Sequence, residues 1–206
     1  MNGKKFFVKS AEFLFICLAL LLFPSLATIN ISSCSVLDQE GETYLLTADI
    51  INSSTSYCIN ISANNIVFDC QNHLIDGDDS AQYGIYIYRS SAQTTNITIK
   101  NCRVSDWDEA NVYLKNADGN TLTNINVFSS PNDGINLSSS DSNTLTNITA
   151  YSNGDDGISI LNSSSNTLTN ITAYSNSYDG IQIEDSDSNI LSSITSYSNN
   201  YDGISL

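Results

Sequence analysis

Apolar and polar residues alternate along this chain in short bursts. Ile158-Ser159-Ile160 is one, Ile148-Thr149-Ala150 is another, and Leu145 stands between two threonines. Alternation with a period of two marks half-buried strands, and no helical spacing survives for more than a few residues. Asn and Gly punctuate the bursts, and both tolerate φ > 0 at sharp bends. The bursts also recur at an interval of 23 residues. N-T-L-T-N-I-N-V-F-S begins at Asn120, N-T-L-T-N-I-T-A-Y-S at Asn143 and again at Asn166, and N-I-L-S-S-I-T-S-Y-S at Asn189. The phrase D-G-I keeps the same beat at Asp133, Asp156, Asp179 and Asp202. A fixed period of this length marks a solenoid in which each repeat is one supersecondary unit. Three short strands per repeat, separated by bends, fit one coil of an all-β, parallel β-helix. A leucine-rich repeat is excluded because its L-x-x-L-x-L pattern is missing.

Leu145, Ile148, Ala150, Ile158 and Ile160 are the expected inward side chains of one coil. They are too few to offset the entropy of ordering a whole repeat, so each coil depends on neighbours stacked about 4.8 Å away. The repeat continues upstream in weaker form. Val112-Tyr113-Leu114 precedes Ile135-Asn136-Leu137 by one period, with Asn111 in the glycine position, and Gly84-Ile85-Tyr86-Ile87 lies one slightly longer interval before that. Asn65 to Cys70, ending at Asp76-Gly77, reads as the first coil, giving about seven coils over 64–206. Residues 28–63 lack the period and are expected to form an N-terminal cap. The chain stops on a strand, Ile204-Ser205-Leu206, so the C-terminal end is expected to be uncapped. Such an edge implies a truncated product, or a covering partner, or self-association.

Residues 1–27 read as a secretory signal peptide: Lys4, Lys5 and Lys9, an apolar run from Phe13 to Phe23, then Ser25-Leu26-Ala27 before the cut. The run is short for a membrane span, and no later segment is long enough. The expected location is secreted, periplasmic or cell-surface. After cleavage four basic residues (Arg89, Lys100, Arg103, Lys115) face 21 acidic ones, a net charge near −17. That balance excludes a nucleic-acid partner, which needs a basic stripe, and suits cations or glycans. Cys34, Cys58, Cys70 and Cys102 remain. Four cysteines allow three connectivities; Cys34–Cys58 pinning the cap and Cys70–Cys102 tying adjacent coils is the preferred one. Metal binding is the rival, weakened by the absence of C-x-x-C spacing and the single histidine, His73. Eight N-x-S/T sequons, among them Asn147 and Asn170, follow from Asn at a bend before a strand.

The unit N-T-L-T-N-I-T-A-Y-S-N…D-G-I-S-I, with Asn96-Ile97-Thr98-Ile99-Lys100-Asn101-Cys102 and Asn65-Ile66-Val67-Phe68-Asp69-Cys70 before it, resembles the NosD-like group of right-handed parallel β-helix proteins in the pectin-lyase-like superfamily. The resemblance covers roughly residues 60–206. It implies a right-handed coil with three sheets, secretion, and carbohydrate-related or copper-processing roles.

Two ladders carry the candidate chemistry. Asp133, Asp156, Asp179 and Asp202 recur in register, and Asp155 adds a second carboxylate in one coil. Such a row either binds a hard cation, Ca²⁺ being the expected one, or serves as turn chemistry in which Asp bonds to backbone and Gly supplies φ > 0. Phe128, Tyr151, Tyr174 and Tyr197 stand one coil apart, and Tyr178 and Tyr201 form a second pair. These are either platforms for sugar rings or cross-strand stacks that stabilise the sheet. Trp107 is a further candidate ligand contact. It lies in the one irregular stretch, 100–118, with Arg103, Asp106, Asp108 and Glu109, where a unique active site would have to sit. A ladder with identical residues in every coil argues against a single active site. The chain lacks the G-H-G segment of related glycoside hydrolases, and after cleavage it offers copper no Met, one His and cysteines expected to be paired, which gives the copper role little support. Asn at 120, 143, 166 and 189, and at 153, 176 and 199, are expected to stack structurally. The reading is an exported, acidic, non-catalytic binding or structural module for a glycan or Ca²⁺, with a truncated carbohydrate-active enzyme or a copper-processing accessory protein as alternatives.

Overall fold

The computed structural model describes residues 28–88 and 93–206. The secretory signal expected over 1–27 lies outside the described residues, as does Arg89. The described residues are all-β. Their strands form a 10-stranded and an 8-stranded sheet, and successive strands pair in parallel as the chain climbs through about seven turns of a right-handed β-helix. No helix among the described residues is long and apolar enough to cross a membrane.

The 23-residue register is kept side chain by side chain. Leu145 lies over Leu168, Ile148 over Ile171 and Tyr151 over Tyr174, while Ile158 and Ile160 lie over Ile181 and Ile183. Leu145, Ile148, Ala150, Ile158 and Ile160 are all buried, as expected, and form one continuous apolar column with their counterparts. From Thr98 onward each coil has two strands rather than three, because one of them turns a corner. Thr144–Tyr151 bends at Asn147, whose φ of 55° interrupts the pairing between Thr146 and Ile148. The upstream corner is longer. There Val67–Asp69 and Leu74–Gly77 are separate strands, with Gln71 and Asn72 at positive φ between them.

Residues 28–61 supply strands to both sheets, with Thr28 opposite Thr43 and Ser35 opposite Ile59, all in parallel. Their repeat is hidden in the sequence because the coil length varies. Tyr57 pairs with Tyr83 and Val67 with Thr98, and both intervals are longer than the period of the later coils. Extra residues sit in corners and leave strand register intact. Disulfides join Cys34 to Cys58 and Cys70 to Cys102, the preferred connectivity. Paired cysteines of this kind persist in oxidising compartments outside the cytoplasm.

Two columns of asparagine run inside the spiral. The backbone N–H and Nδ2 of Asn153 both donate to Asn176 Oδ1 (3.2 and 3.0 Å), and Asn176 repeats this toward Asn199 Oδ1 (3.0 and 3.0 Å). The backbone N–H groups of Asn120, Asn143 and Asn166 donate to the side-chain oxygen one coil on, at 2.7–2.8 Å. An outer column joins Asn101, Asn124, Asn147 and Asn170, and it engages the Nδ2 atoms of the two sequon residues Asn147 and Asn170.

The glycines of D-G-I have a different purpose from the one expected. Gly134, Gly157 and Gly180 are not at positive φ; Asn and Ser hold the left-handed positions instead. A Cβ on Gly157 would stand 2.6 Å from the Gly180 carbonyl oxygen and 2.7 Å from Asn176 Nδ2. Glycine is required because the asparagine column and the next coil approach the backbone too closely for a side chain.

Candidate functional site

The outward face of the 8-stranded sheet carries two adjacent rows. Inward Ile59, Ile61, Ile85, Ile87, Val112 and Leu114 alternate with them. One row runs Tyr57, Tyr83, Ala110, Asp133; the other runs Asn60, Tyr86, Tyr113, Asn136. The tyrosines interleave into a zigzag stack, with ring centroids 4.9 Å apart for Tyr57–Tyr86, 5.0 Å for Tyr86–Tyr83 and 4.9 Å for Tyr83–Tyr113. Burial holds the Tyr83 hydroxyl above its usual range and pushes Tyr86 up to about 12, so both remain neutral donors.

The stack stops where the first row places alanine at 110 and the second places Asn136 over Tyr113. The missing ring leaves a cleft of about 270 Å³. Tyr83, Ala110 and Tyr113 line it from the aromatic side, Asp133 and Asn136 from the next coil, and Glu109, Asn132 and Asp155 complete it. Asn136 Nδ2 donates to Asp133 Oδ2 at 2.7 Å, which fixes that wall.

The acidic row is in register, and its main bonds are to backbone. Asp133 Oδ1 accepts from the N–H of Asp156 (3.3 Å), Asp156 Oδ1 from Asp179 (2.8 Å), and Asp179 Oδ1 from Asp202 (2.7 Å). One coil departs from the pattern. There Asp155 and Asp156, with Asp133 of the coil before, each bring an oxygen within 4.8 Å of the others. Asp179 and Asp202 continue the row outside this trio. Burial, followed by the neighbouring carboxylates, raises Asp133 to about 6 and Asp156 to about 7, against the opposing hydrogen bonds, and Asp155 is raised as well.

Raised carboxyl pKa values in the folded state favour the neutral form. Their contribution to stability is intact below the unfolded value near 3.8 and is lost as pH rises through about 6 to 7. The melting temperature is therefore expected to be higher at pH 5 than at pH 8, by about 5 °C for a chain of this size. Asp156→Asn keeps the acceptor for the Asp179 N–H and removes the charge, so it should flatten most of that difference. Calorimetric scans of both proteins at the two pH values check this; parallel profiles would contradict it.

The expected sugar platforms have another geometry. Phe128, Tyr151, Tyr174 and Tyr197 stack with centroids 5.2, 5.0 and 5.1 Å apart and planes within 11°, 2° and 2°. Tyr178 and Tyr201 do the same at 4.9 Å. Rings stacked in this way cover each other's faces and present edges and hydroxyls to solvent, which is the cross-strand stabilising arrangement. The expectation that Trp107 contacts a ligand is corrected outright. Trp107 is fully buried, its Nε1 donates to the Ile75 carbonyl at 3.2 Å, and its ring occupies the space beside Gly77 and Gly84.

The irregular stretch separates into distinct places. Burial, and after it the neighbouring Asp76, raise Asp106 to about 6. Ser105 Oγ donates to Asp76 at 2.7 Å. Arg103 lies in register with Leu74 and Asn126 on the other sheet. Of the charged residues in this stretch, Glu109 lines the cleft, together with Asp133 and Asp155. The residues that sequence reasoning missed are Tyr57, Tyr83, Tyr86 and Tyr113, with Asn132 and Asn136. Their signal was tyrosine at the outward step of the bursts Gly84-Ile85-Tyr86-Ile87 and Val112-Tyr113-Leu114.

A family model described as right handed beta helix region matches residues 83–206. No curated protein matches the chain. Among solved structures, the periplasmic alginate epimerase AlgG is similar at a TM-score of 0.57 and 18% identity, over 82% of this chain and 50% of that one. The enzymatically active domain of bacteriophage CBA120 tailspike protein 2 is similar at 0.56 and 12%, over 86% and 39%. Pectate lyase Pel9A is similar at 0.51 and 20%, over 82% and 47%. The chain spans half or less of the length of these three, and identities this low speak for the fold alone.

Proposed function

The chain belongs to the right-handed β-helix family, and on that premise we propose that it is an extracytoplasmic, non-catalytic polysaccharide-binding module. Its binding site is the cleft where the tyrosine stack ends. The supporting observation is the interrupted stack itself. Tyr113 has ring neighbours in Tyr83 and Tyr86, and the next coil offers it Asn136 instead of another ring. A pyranose ring seated there continues the stack, with its hydroxyls within reach of Asn132, Asn136 and the carboxylates. The similar folds named above include an alginate epimerase and a pectate lyase, which fits a polysaccharide ligand.

Catalysis is the competing reading. The lining of the cleft carries three carboxylates and no basic group. The copper alternative finds little support among the described residues, where His73 Nδ1 is engaged with Asp49 at 2.8 Å and Cys34, Cys58, Cys70 and Cys102 are in disulfides. Calcium is a second reading, carried by the trio's oxygen spacing. Against it, both Asp133 oxygens and one of Asp156 already accept N–H groups. A calcium titration that leaves the melting temperature unchanged would remove it.

The test is to incubate the full chain with a panel of soluble polysaccharides and follow retention in affinity electrophoresis beside release of reducing ends. Retention without release supports a binding module. Release of new reducing ends would establish an enzyme.

A further inference from the structure

We propose that the cleft selects a glycan bearing free ammonium groups, a polymer of unacetylated amino sugar, over the polyuronates. This rests on the binding reading above and specifies its ligand. Two independent observations carry it. The first is the ring-sized gap beside Tyr113, which calls for a ring and gives no information about its charge. The second is the electrostatics of the lining. Glu109, Asp133 and Asp155 face the same space, and Asp156 stands behind Asp133 with an oxygen close to both of the other aspartates.

No cation among the described residues balances them. Lys115 shares a strand with Tyr113, and its Nζ lies 5.7 Å from the ring of Tyr88. It stands at the far end of the strand Ala110–Lys115, roughly 16 Å along the chain from the acidic end. Lys100 pairs with Asp69 at 3.4 Å on the other sheet. A uronate would place its carboxylate among like charges in a partly desolvated cleft, which is repulsive. An ammonium group on the same ring position is attracted by each of them, and hydrogen bonds to charged acceptors are the stronger kind. Burial first, and the neighbouring carboxylates after it, raise Asp133 and Asp155, a cost that a cationic guest relieves and an anionic one aggravates.

The experiment is calorimetric titration of the full chain at low salt with three hexamers: glucosamine, N-acetylglucosamine and galacturonate, the last with and without calcium. The expected order is the glucosamine hexamer at least tenfold tighter than its acetylated form, and no uptake of galacturonate in either condition. Asp155→Asn and Glu109→Gln should each weaken the glucosamine hexamer severalfold and narrow its preference over the acetylated form. Equal affinity for the two hexosamine forms, or uptake of galacturonate with calcium, overturns the charge selection and leaves the cleft as the binding site. Glucosamine binding that both variants retain in full also overturns it, since the attraction then lies elsewhere on an acidic surface. If no hexamer binds, and Tyr113→Ala changes no titration, the binding reading fails together with this one.

Discussion

Gly157→Val is expected to remove the cooperative unfolding transition of the repeat region or to lower its stability by at least about 3 kcal/mol. The clash is with backbone, which cannot rotate away. The new Cβ alone would lie 2.6 Å from the Gly180 oxygen and 3.3 Å from the Ala150 Cβ. Relief requires the two coils to part, yet the Gly157 N–H donates to the Asp179 carbonyl at 3.0 Å, and the Ile158 N–H to the Gly180 carbonyl at 3.2 Å. Separation therefore breaks the ladder as well. Gly119 provides the contrast. Its φ is 64° and a Cβ there meets nothing within 4 Å, so Gly119→Ala should cost only about 1 to 2 kcal/mol, from backbone conformation. Urea unfolding of the two variants beside the parent checks the pair. A Gly157→Val protein as stable as Gly119→Ala would contradict the packing described.

Asn176→Ala is expected to cost about 3 to 5 kcal/mol, far beyond its side-chain size. The Asn153 backbone N–H and Nδ2 both lose their acceptor, and both are buried, since Asn153 is only 1% exposed. Each buried donor left alone carries a penalty of about 1–3 kcal/mol. The Asn176 Nδ2 bonds to Asn199 Oδ1 and to the Ala150 carbonyl disappear as well. Asn176→Asp retains an acceptor, removes the amide donors and buries a charge, so it should also be destabilising, and most strongly at high pH. The same urea experiment, run at pH 5 and pH 8, measures both. A loss below about 1 kcal/mol for Asn176→Ala would mean the column only accompanies the fold.

Much of this architecture could be read from letters alone, because a parallel spiral repeats each environment at each turn. Coil length is constant from Thr98 onward, and from Asn120 the sequence repeats with it, so the inward set, the asparagine columns and the acidic row all follow. Upstream, the corners change length while the strands stay in register. Tyr57, Tyr83 and Ala110 are neighbours in space, yet their two spacings in the chain differ from each other and from the later period. A fixed-period search passes over them. The residues 28–61 joined the same sheets unseen for the same reason.

The candidate site was harder to read, since it depends on a departure from the repeat. Asp133, Asp155 and Asp156 could be named from the acidic row. Their meeting with Tyr113 could not, because it depends on alanine standing at 110 where Tyr83 stands one coil below. Regular ladders also misled. Tyr151, Tyr174 and Tyr197 look like a binding stripe in sequence, and perfect register is what turns their faces toward one another. Trp107 reads as exposed because it lies in an irregular, charged stretch, but its ring is turned inward beside Gly77 and Gly84.

The most direct test compares two tyrosines. Tyr113→Ala opens the end of the interrupted stack, and Tyr174→Ala removes a ring from the middle of the complete one. Both should remain folded by circular dichroism. Affinity for the polysaccharide that the parent retains most strongly is then measured for each. A loss of at least tenfold for Tyr113→Ala, with Tyr174→Ala binding like the parent, is the predicted result. Loss of binding in Tyr174→Ala with Tyr113→Ala unaffected would place the ligand on the other face and contradict the account.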